Sequence, residues 1–394
     1  MSPIQNPATG TPAEARRHRL ASERAKSKIQ NPKSKIAEIQ TTVFHLPMKG
    51  ALSWGQASRM ESLEHVLVRL VSDSGHEGWA EAPPRPTIYG ETPQSVETII
   101  RDHLAPGLIG LPLEDVEAVN RVLHTIANNH TAKGAIDIAL HEAIAASRGQ
   151  SLLDYLDPPN RRIRVSYILG IAKPETMLAE ARAVYEQGVR VLKVKVGRDL
   201  SHDVALIERL NREFAGSGLS LYADANEGLR PAEAEGHLRH LAELGLLYVE
   251  EPLPVTLLPE RAALRAAQAL PLIADDSAFT MRDLQRELAF DTFDILNIKT
   301  ARTGYTTSRH MLDLALAHDK GVMVGSQASA GLGTIRAALF AGLAGIDHPS
   351  ELSFFLKLEE DIITRPLELR DGYLDLDSLA GITVDVGRLK AVGG

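Results

Sequence analysis

The chain has no cysteine among its 394 residues, so it has neither disulfides nor thiolate metal ligands. It has no apolar run long enough to span a membrane. Residues 1–35 lack the apolar core of a secretory signal. An excess of positive charge is also missing: 43 Lys and Arg face 51 Asp and Glu, a net −8, so a nucleic-acid partner is not indicated. A cytoplasmic location is expected, with no membrane partner. What the chain does have is bulk. It is 44% hydrophobic and 24% charged, enough to bury a large core in two or more domains.

The charge is uneven. Residues 1–36 hold eight basic residues (Arg16, Arg17, Arg19, Arg24, Lys26, Lys28, Lys33, Lys35) and two acids (Glu14, Glu23). They show no apolar periodicity, and Lys26-Ser27-Lys28-Ile29-Gln30 is nearly echoed by Lys33-Ser34-Lys35-Ile36. Residues 1–35 therefore read as a disordered, dispensable basic leader, although acid-poor Arg-rich leaders can also be organellar transit peptides.

From Ile36 the texture changes. Glu38–Leu46, Glu64–Ser72 and Gly78–Ala82 read as strands. Pro47–Met60 reads as a hairpin loop and Pro83–Thr92 as a proline-rich loop. Helical patterns follow at Ser95–Leu104, Leu113–His124 and Ala132–Ser147. Residues 36–155 are thus an α+β domain. From 160 to 360, strands alternate with helices, which predicts a parallel barrel. The eighth strand is placed at Glu351–Phe354. The tail, 361–394, should pack back on the first domain.

One strand organises the chemistry. In Val191-Leu192-Lys193-Val194-Lys195-Val196 the two lysines share a face. Asp224, Glu250, Asp275 and Lys299 then each end an apolar run, at steps of 29, 26, 25 and 24 residues from Lys195 onward. Each step is the length of one βα unit. In a (β/α)₈ barrel such strand ends converge on one mouth. Three carboxylates there would repel one another without a cation, and oxygen ligands suit Mg²⁺ or Mn²⁺. Two lysines beside them point to proton transfer next to a substrate carboxylate, through an enolate.

With these residues placed, the chain resembles the enolase superfamily, in its muconate-lactonizing subgroup. The resemblance runs from about Ile36 to the end. It rests on Lys193-Val194-Lys195, Asp224-Ala225-Asn226, Glu250-Glu251-Pro252, Ala274-Asp275-Asp276-Ser277 and Asn297-Ile298-Lys299-Thr300. It implies a modified (β/α)₇β TIM-like barrel under an N-terminal α+β capping domain. It also implies that Asp224, Glu250 and Asp275 bind Mg²⁺ or Mn²⁺, and that Lys195 and Lys299 are the acid–base pair on opposite faces of the substrate. Within the subgroup, Glu81-Ala82-Pro83-Pro84-Arg85-Pro86, Tyr89-Gly90-Glu91, Lys299-Thr300-Ala301-Arg302-Thr303-Gly304 and Ser350-Glu351-Leu352-Ser353-Phe354 are similar to muconate cycloisomerases. These interconvert cis,cis-muconate and muconolactone. o-Succinylbenzoate synthesis and racemization or epimerization of N-acylamino acids or dipeptides are the alternatives on the same site.

Two departures bear on substrate. Many relatives carry Glu after the seventh strand, and Ser329 aligns there. Dipeptide epimerases carry Asp-x-Asp at the eighth strand, and Pro349-Ser350-Glu351 stands in its place. Lys193, Tyr89, Ser329 and Glu351 are the substrate-binding candidates. Asn226 and Asp276 are supporting residues beside the ligands. Lys193 should also favour a neutral Lys195 by like-charge repulsion. His45, His141 and His310 read as structural, while His348 is a candidate to face the mouth. Loops 47–60 and 83–92 should set specificity. A homo-oligomer acting on a small carboxylate is expected.

Overall fold

The computed structural model describes residues 34–54 and 58–393. The expected leader falls on 1–35, and 1–33 of it lie outside the described residues. No helix among the described residues is long and apolar enough to cross a membrane.

The first layer is an antiparallel sheet of β1 (Ile36–Trp54), β2 (Ser58–Ser72) and β3 (Glu77–Ala82). The expected loop at 47–60 is instead mostly ribbon. β1 and β2 remain paired to Leu52↔Met60 and Trp54↔Ser58, after a register shift between Pro47 and Leu52. Extra residues on one strand bend and twist a ribbon without ending its pairing, which a count of Gly and Ser does not reveal.

Helix α1 (His130–Ser147) lies across this sheet. Ala132, Ala135, Ala139 and Ala143 are all buried along it. Small side chains let the backbones approach closely, and a side chain at Gly78 would collide with the Ala139 carbonyl.

The second layer is a parallel sheet in sequential order: β5 (Tyr167–Leu169), β6 (Val191–Lys195), β7 (Ser220–Asp224), β8 (Val249–Glu250), β9 (Leu272–Ala274), β10 (Ile295–Ile298) and β11 (Gly321–Val324). Helices cross between them: α2 (Pro174–Glu186), α3 (Leu200–Glu213), α4 (Pro231–Glu243), α5 (Leu258–Ala266), α6 (Met281–Phe290) and α7 (Thr300–Leu316). Helix α8 (Gly331–Ala341) follows β11. The expected eighth strand is reduced to a bridge. Ser350 pairs with Val165, its hydroxyl accepts from the Val324 N–H at 3.1 Å, and the Glu351 N–H donates to the Val324 carbonyl at 2.8 Å. These bonds close the ring. Phe354, expected in a strand, starts a 3₁₀ turn. The architecture is the modified TIM-like barrel with a strand-rich cap.

The tail is split between both layers. β12 (Tyr373–Asp375) pairs with β4 (Arg162–Arg164), ahead of the barrel, while Gly393 bridges to Phe44 on β1.

The cap also grips the barrel next to Lys299. Gly304 lies four residues into α7 with φ 66 and ψ −178, a conformation essentially confined to glycine. It faces the Asp137 side chain of α1, whose carboxylate accepts from the Thr306 N–H at 2.9 Å and hydroxyl at 2.6 Å. Gly304→Ala should therefore lower unfolding free energy by about 1–3 kcal/mol, read as a shifted denaturant midpoint. An unchanged midpoint would show that this junction does not strain.

Candidate active site

The barrel strands alternate inward and outward residues, and the inward set changes character along the axis. Val191, Tyr222, Tyr248, Ile273, Ile295 and Met323 form one apolar layer inside the ring. Two residues on, toward the C-terminal ends, stand Lys193, Asp224, Glu250, Asp275 and Asn297. Register sets three charged residues side by side: Lys195 pairs with Asp224, and Asp224 with Glu250. Period-two alternation thus lifts the chain from a greasy floor to a charged mouth. The outward neighbours Leu192 and Val194 join the core under the helices.

The same alternation separates each acid pair. Glu250 faces the mouth, whereas Glu251 points away. The Glu251 carboxylate accepts from Arg261 at 2.7 Å and from the N–H groups of Asp275 and Ser277 at 2.7 and 2.8 Å. It is a brace under β9, not part of the mouth.

The mouth is a dense ionic cluster. Lys193 is only 3% exposed. Its Nζ lies 2.9 Å from Asp224, 2.6 Å from Glu250 and 2.5 Å from Glu351. Burial works against its charge, but these three carboxylates outweigh burial and hold its pKa well above the ordinary lysine value. Lys195 donates to Asp224 at 2.6 Å and to Asn226 Oδ1 at 2.8 Å. Lys299 is ion-paired with Asp275, which outweighs burial and raises its pKa. Burial pushes the Glu250 carboxyl well up; Lys193 opposes this, while Asp224, Glu351 and Asp275 add to it. Lys195 and Lys299 sit four strand positions apart on the ring, so they stand on opposite sides of the mouth.

These groups line a cavity of about 150 Å³ together with Asn226, Asp276, Ser326, Gln327, Ala328 and Glu351. Leu52, Met60, Ile88 and Tyr89 of the cap cover it. The Tyr89 ring packs edge-on against Phe279 at 5.3 Å between centroids. Asp276 accepts from Arg302 at 3.2 Å.

Two expected residues are elsewhere. Ser329 is buried and does not line the cavity; Ser326, Gln327 and Ala328 do. The chain turns here because Ala328 has φ 53 and because Arg85, from the cap, donates to the carbonyls of Gln327 at 2.6 Å and Ala328 at 3.3 Å. His348 lies at the opposite end of the barrel, against Tyr248 and the Gly321 backbone that starts β11. It precedes a strand, and the start of a parallel strand is the far end from the mouth.

Arg85, Arg302, Asn297 and Gln327 carried no expected role. Arg85 and Arg302 lie inside the quoted motifs, and Asn297 is two residues before Lys299 on the same face. For Gln327 no local signal existed.

Residues 38–156 match the family described as mandelate racemase / muconate lactonizing enzyme, N-terminal domain, and residues 176–389 match the one described as enolase C-terminal domain-like. The chain belongs to the enolase superfamily, in its muconate-lactonizing subgroup. Among relatives within the superfamily, an L-Ala-D/L-Glu epimerase of Bacillus subtilis is 34% identical over 78% of this chain and 85% of its own. A muconate lactonizing enzyme of Mycobacterium smegmatis, solved with muconolactone, is 35% identical and superposes with a TM-score of 0.85 over 91% of this chain and 100% of its own. The B. subtilis epimerase solved with substrate is 31% identical, with a TM-score of 0.82 over 86% of this chain and 96% of its own. The protein is accordingly an enzyme of the isomerase kind.

Superfamily members generally use Mg²⁺. The donor set here fits such an ion by chemistry: Asp224, Glu250 and Asp275 end three adjacent strands, line one cavity, and are 1%, 1% and 7% exposed. Among the described residues no three such side chains are gathered into one coordination sphere, because lysine ammoniums hold these carboxylates. Glu250, pushed up by burial and then by its acidic neighbours, is the group most in want of further positive charge.

Proposed function

We propose that this enzyme is a divalent-metal-dependent cycloisomerase that interconverts cis,cis-muconate and muconolactone. The position of Glu351 carries the reading. Dipeptide epimerases are marked by an Asp-x-Asp pair at the eighth strand, where a substrate ammonium needs anions. Here Glu351 is the acid in that region, and it is fully committed. Its Oε1 accepts from Lys193 at 2.5 Å and from the Tyr222 hydroxyl at 3.1 Å, and its Oε2 from the Ser326 N–H at 3.0 Å. Asp276 is taken by Arg302. Among the described residues the acid at this ring position is therefore already bonded, which disfavours an α-ammonium there, while three lysines bring positive charge to the mouth for an acid. The cap side, with Leu52, Met60, Ile88 and Tyr89, suits a small acid with a hydrocarbon middle.

Asp224, Glu250 and Asp275 would hold the cation, which supplies positive charge where negative charge gathers on the substrate carboxylate. The remaining work falls to the chain itself. In the lactonizing direction one carboxylate of muconate adds to a double-bond carbon of the same molecule to form the ring C–O bond, and the π electrons move toward the other carboxylate. An ammonium, Lys195 or Lys299, delivers a proton to the carbon α to the other carboxylate. The dianion becomes a monoanion, so one proton is taken up. In reverse, the neutral amine removes that α-proton and the C–O bond breaks. Asn226 holds Lys195 in line through its side-chain oxygen.

A second reading, epimerization of a dipeptide or N-acylamino acid, is favoured by a lysine on each side of the mouth, since inversion needs a base on one face and an acid on the other. o-Succinylbenzoate synthesis shares the same proton step. The test is the Mn²⁺-loaded enzyme assayed against muconate, muconolactone, L-Ala-L-Glu, N-succinylamino acids and the succinylbenzoate precursor. Muconate turnover should exceed the others in kcat/KM by about 100-fold or more. Epimerization of L-Ala-L-Glu without muconate turnover would overturn the assignment.

A further inference from the structure

Gln327 follows β11 and lines the cavity, yet it is only 6% exposed. Neither its Oε1 nor its Nε2 has a hydrogen-bond partner among the described residues. Its backbone is held: the carbonyl accepts from Arg85 at 2.6 Å, and the next N–H, of Ala328, donates to the Ser326 hydroxyl at 2.9 Å. An amide buried without partners is costly. Here the backbone is anchored from the cap while the residue lines the substrate space, its two polar atoms buried and unused until the amide turns into the cavity.

Its place on the ring says which part of a substrate it meets. β11 is four strand positions from β7, so Gln327 stands across the mouth from Asp224. The reacting end of the substrate, with its α-carbon, belongs beside the carboxylates and lysines of β6 to β10. With that end there, β11 is one of the sides left for the other end.

We propose that Gln327 is a substrate-binding residue that determines specificity by donating from Nε2 to the second carboxylate of muconate, the one that attacks, and to the same oxygens in the lactone. This rests on the cycloisomerase reading. Oε1, beside the donor, repels the other carboxylate oxygen, so the amide also selects which oxygen faces the ring-closing carbon. A monocarboxylic acid of the same length has nothing to offer this amide, and the site discriminates against it by leaving the amide unpaired.

The experiment compares the Mn²⁺-loaded wild type with Gln327→Met and Gln327→Glu. Met keeps length and removes both polar atoms; Glu keeps shape and replaces the donor by an anion. The KM for muconate should rise about 10-fold to 100-fold in Gln327→Met, and at least as far in Gln327→Glu. Exchange of the muconolactone α-proton with deuterium at saturating lactone should stay within about threefold of wild type, because uniform binding is lost and not the proton-transfer groups. The thermal midpoint of Gln327→Met should hold or rise, since an unpaired amide is removed; a merely structural glutamine would show a fall with no change in KM. A wild type active on muconate with KM unchanged in both variants would overturn the role of Gln327 alone. A wild type inactive toward both muconate and lactone would overturn the cycloisomerase reading beneath it.

Discussion

Replacing either Lys195 or Lys299 by alanine should lower lactonization by about 100-fold to 10,000-fold, the range of general acid–base catalysis, with the fold retained. Each lysine ends a strand, and the two face each other across the mouth. A substrate held between them presents one face to each. The two losses should differ in kind. A cycloisomerase moves one proton to one carbon, so only one lysine needs to exchange it; the other stabilises charge. Only one variant should therefore stop exchange of the muconolactone α-proton with deuterium, as read by NMR. Each is ion-paired with an Asp at the end of the neighbouring strand. Loss of exchange in both variants would favour the epimerase arrangement, in which both lysines carry the proton. Exchange surviving in both would sink the lysine mechanism.

The second large effect concerns Glu250. Glu250→Gln should weaken Mn²⁺ binding by about 100-fold or more, since even partners outside the coordination sphere cost roughly 10–100-fold. The apo enzyme should be no less stable than wild type. Glu250 is buried among Asp224, Glu351 and Asp275, which all disfavour its charge. A neutral amide relieves that repulsion and keeps the volume, and Lys193 retains Asp224 and Glu351 as partners. The signature is in the metal response. Wild type should gain thermal stability as Mn²⁺ is added, by linkage, and Glu250→Gln should not. Unchanged metal stoichiometry in the variant would remove Glu250 from the ligand set.

The reacting groups were legible because they obey two local rules. Strand alternation put Lys193 with Lys195, and βα spacing put Asp224, Glu250, Asp275 and Lys299 at successive strand ends; neither rule needs a partner distant in sequence. The choice of Glu250 over Glu251 needed the family pattern, because alternation says that two neighbours differ without saying which faces in. The specificity wall was less legible. Whether Ser329 or Gln327 meets the substrate depends on a left-handed Ala328 and on Arg85, which reaches over from the cap to residues more than two hundred positions later. The three carboxylate partners of Lys193 come from β7, β8 and the ring closure, segments distant in sequence, so its ion pairing was not readable from its own strand. The eighth strand failed for a similar reason. One bridge and one serine hydroxyl close the ring, so no run of strand-forming residues was required there.

The sequence by itself determined the barrel, the charged strand ends and the proton chemistry they imply, because periodicity and spacing are properties of contiguous residues. Only the tertiary structure decided which charges remain free for a substrate and which are spent on one another. Ion pairing and cavity lining depend on distances between strands, and those are set only when the ring closes and the cap is seated on it.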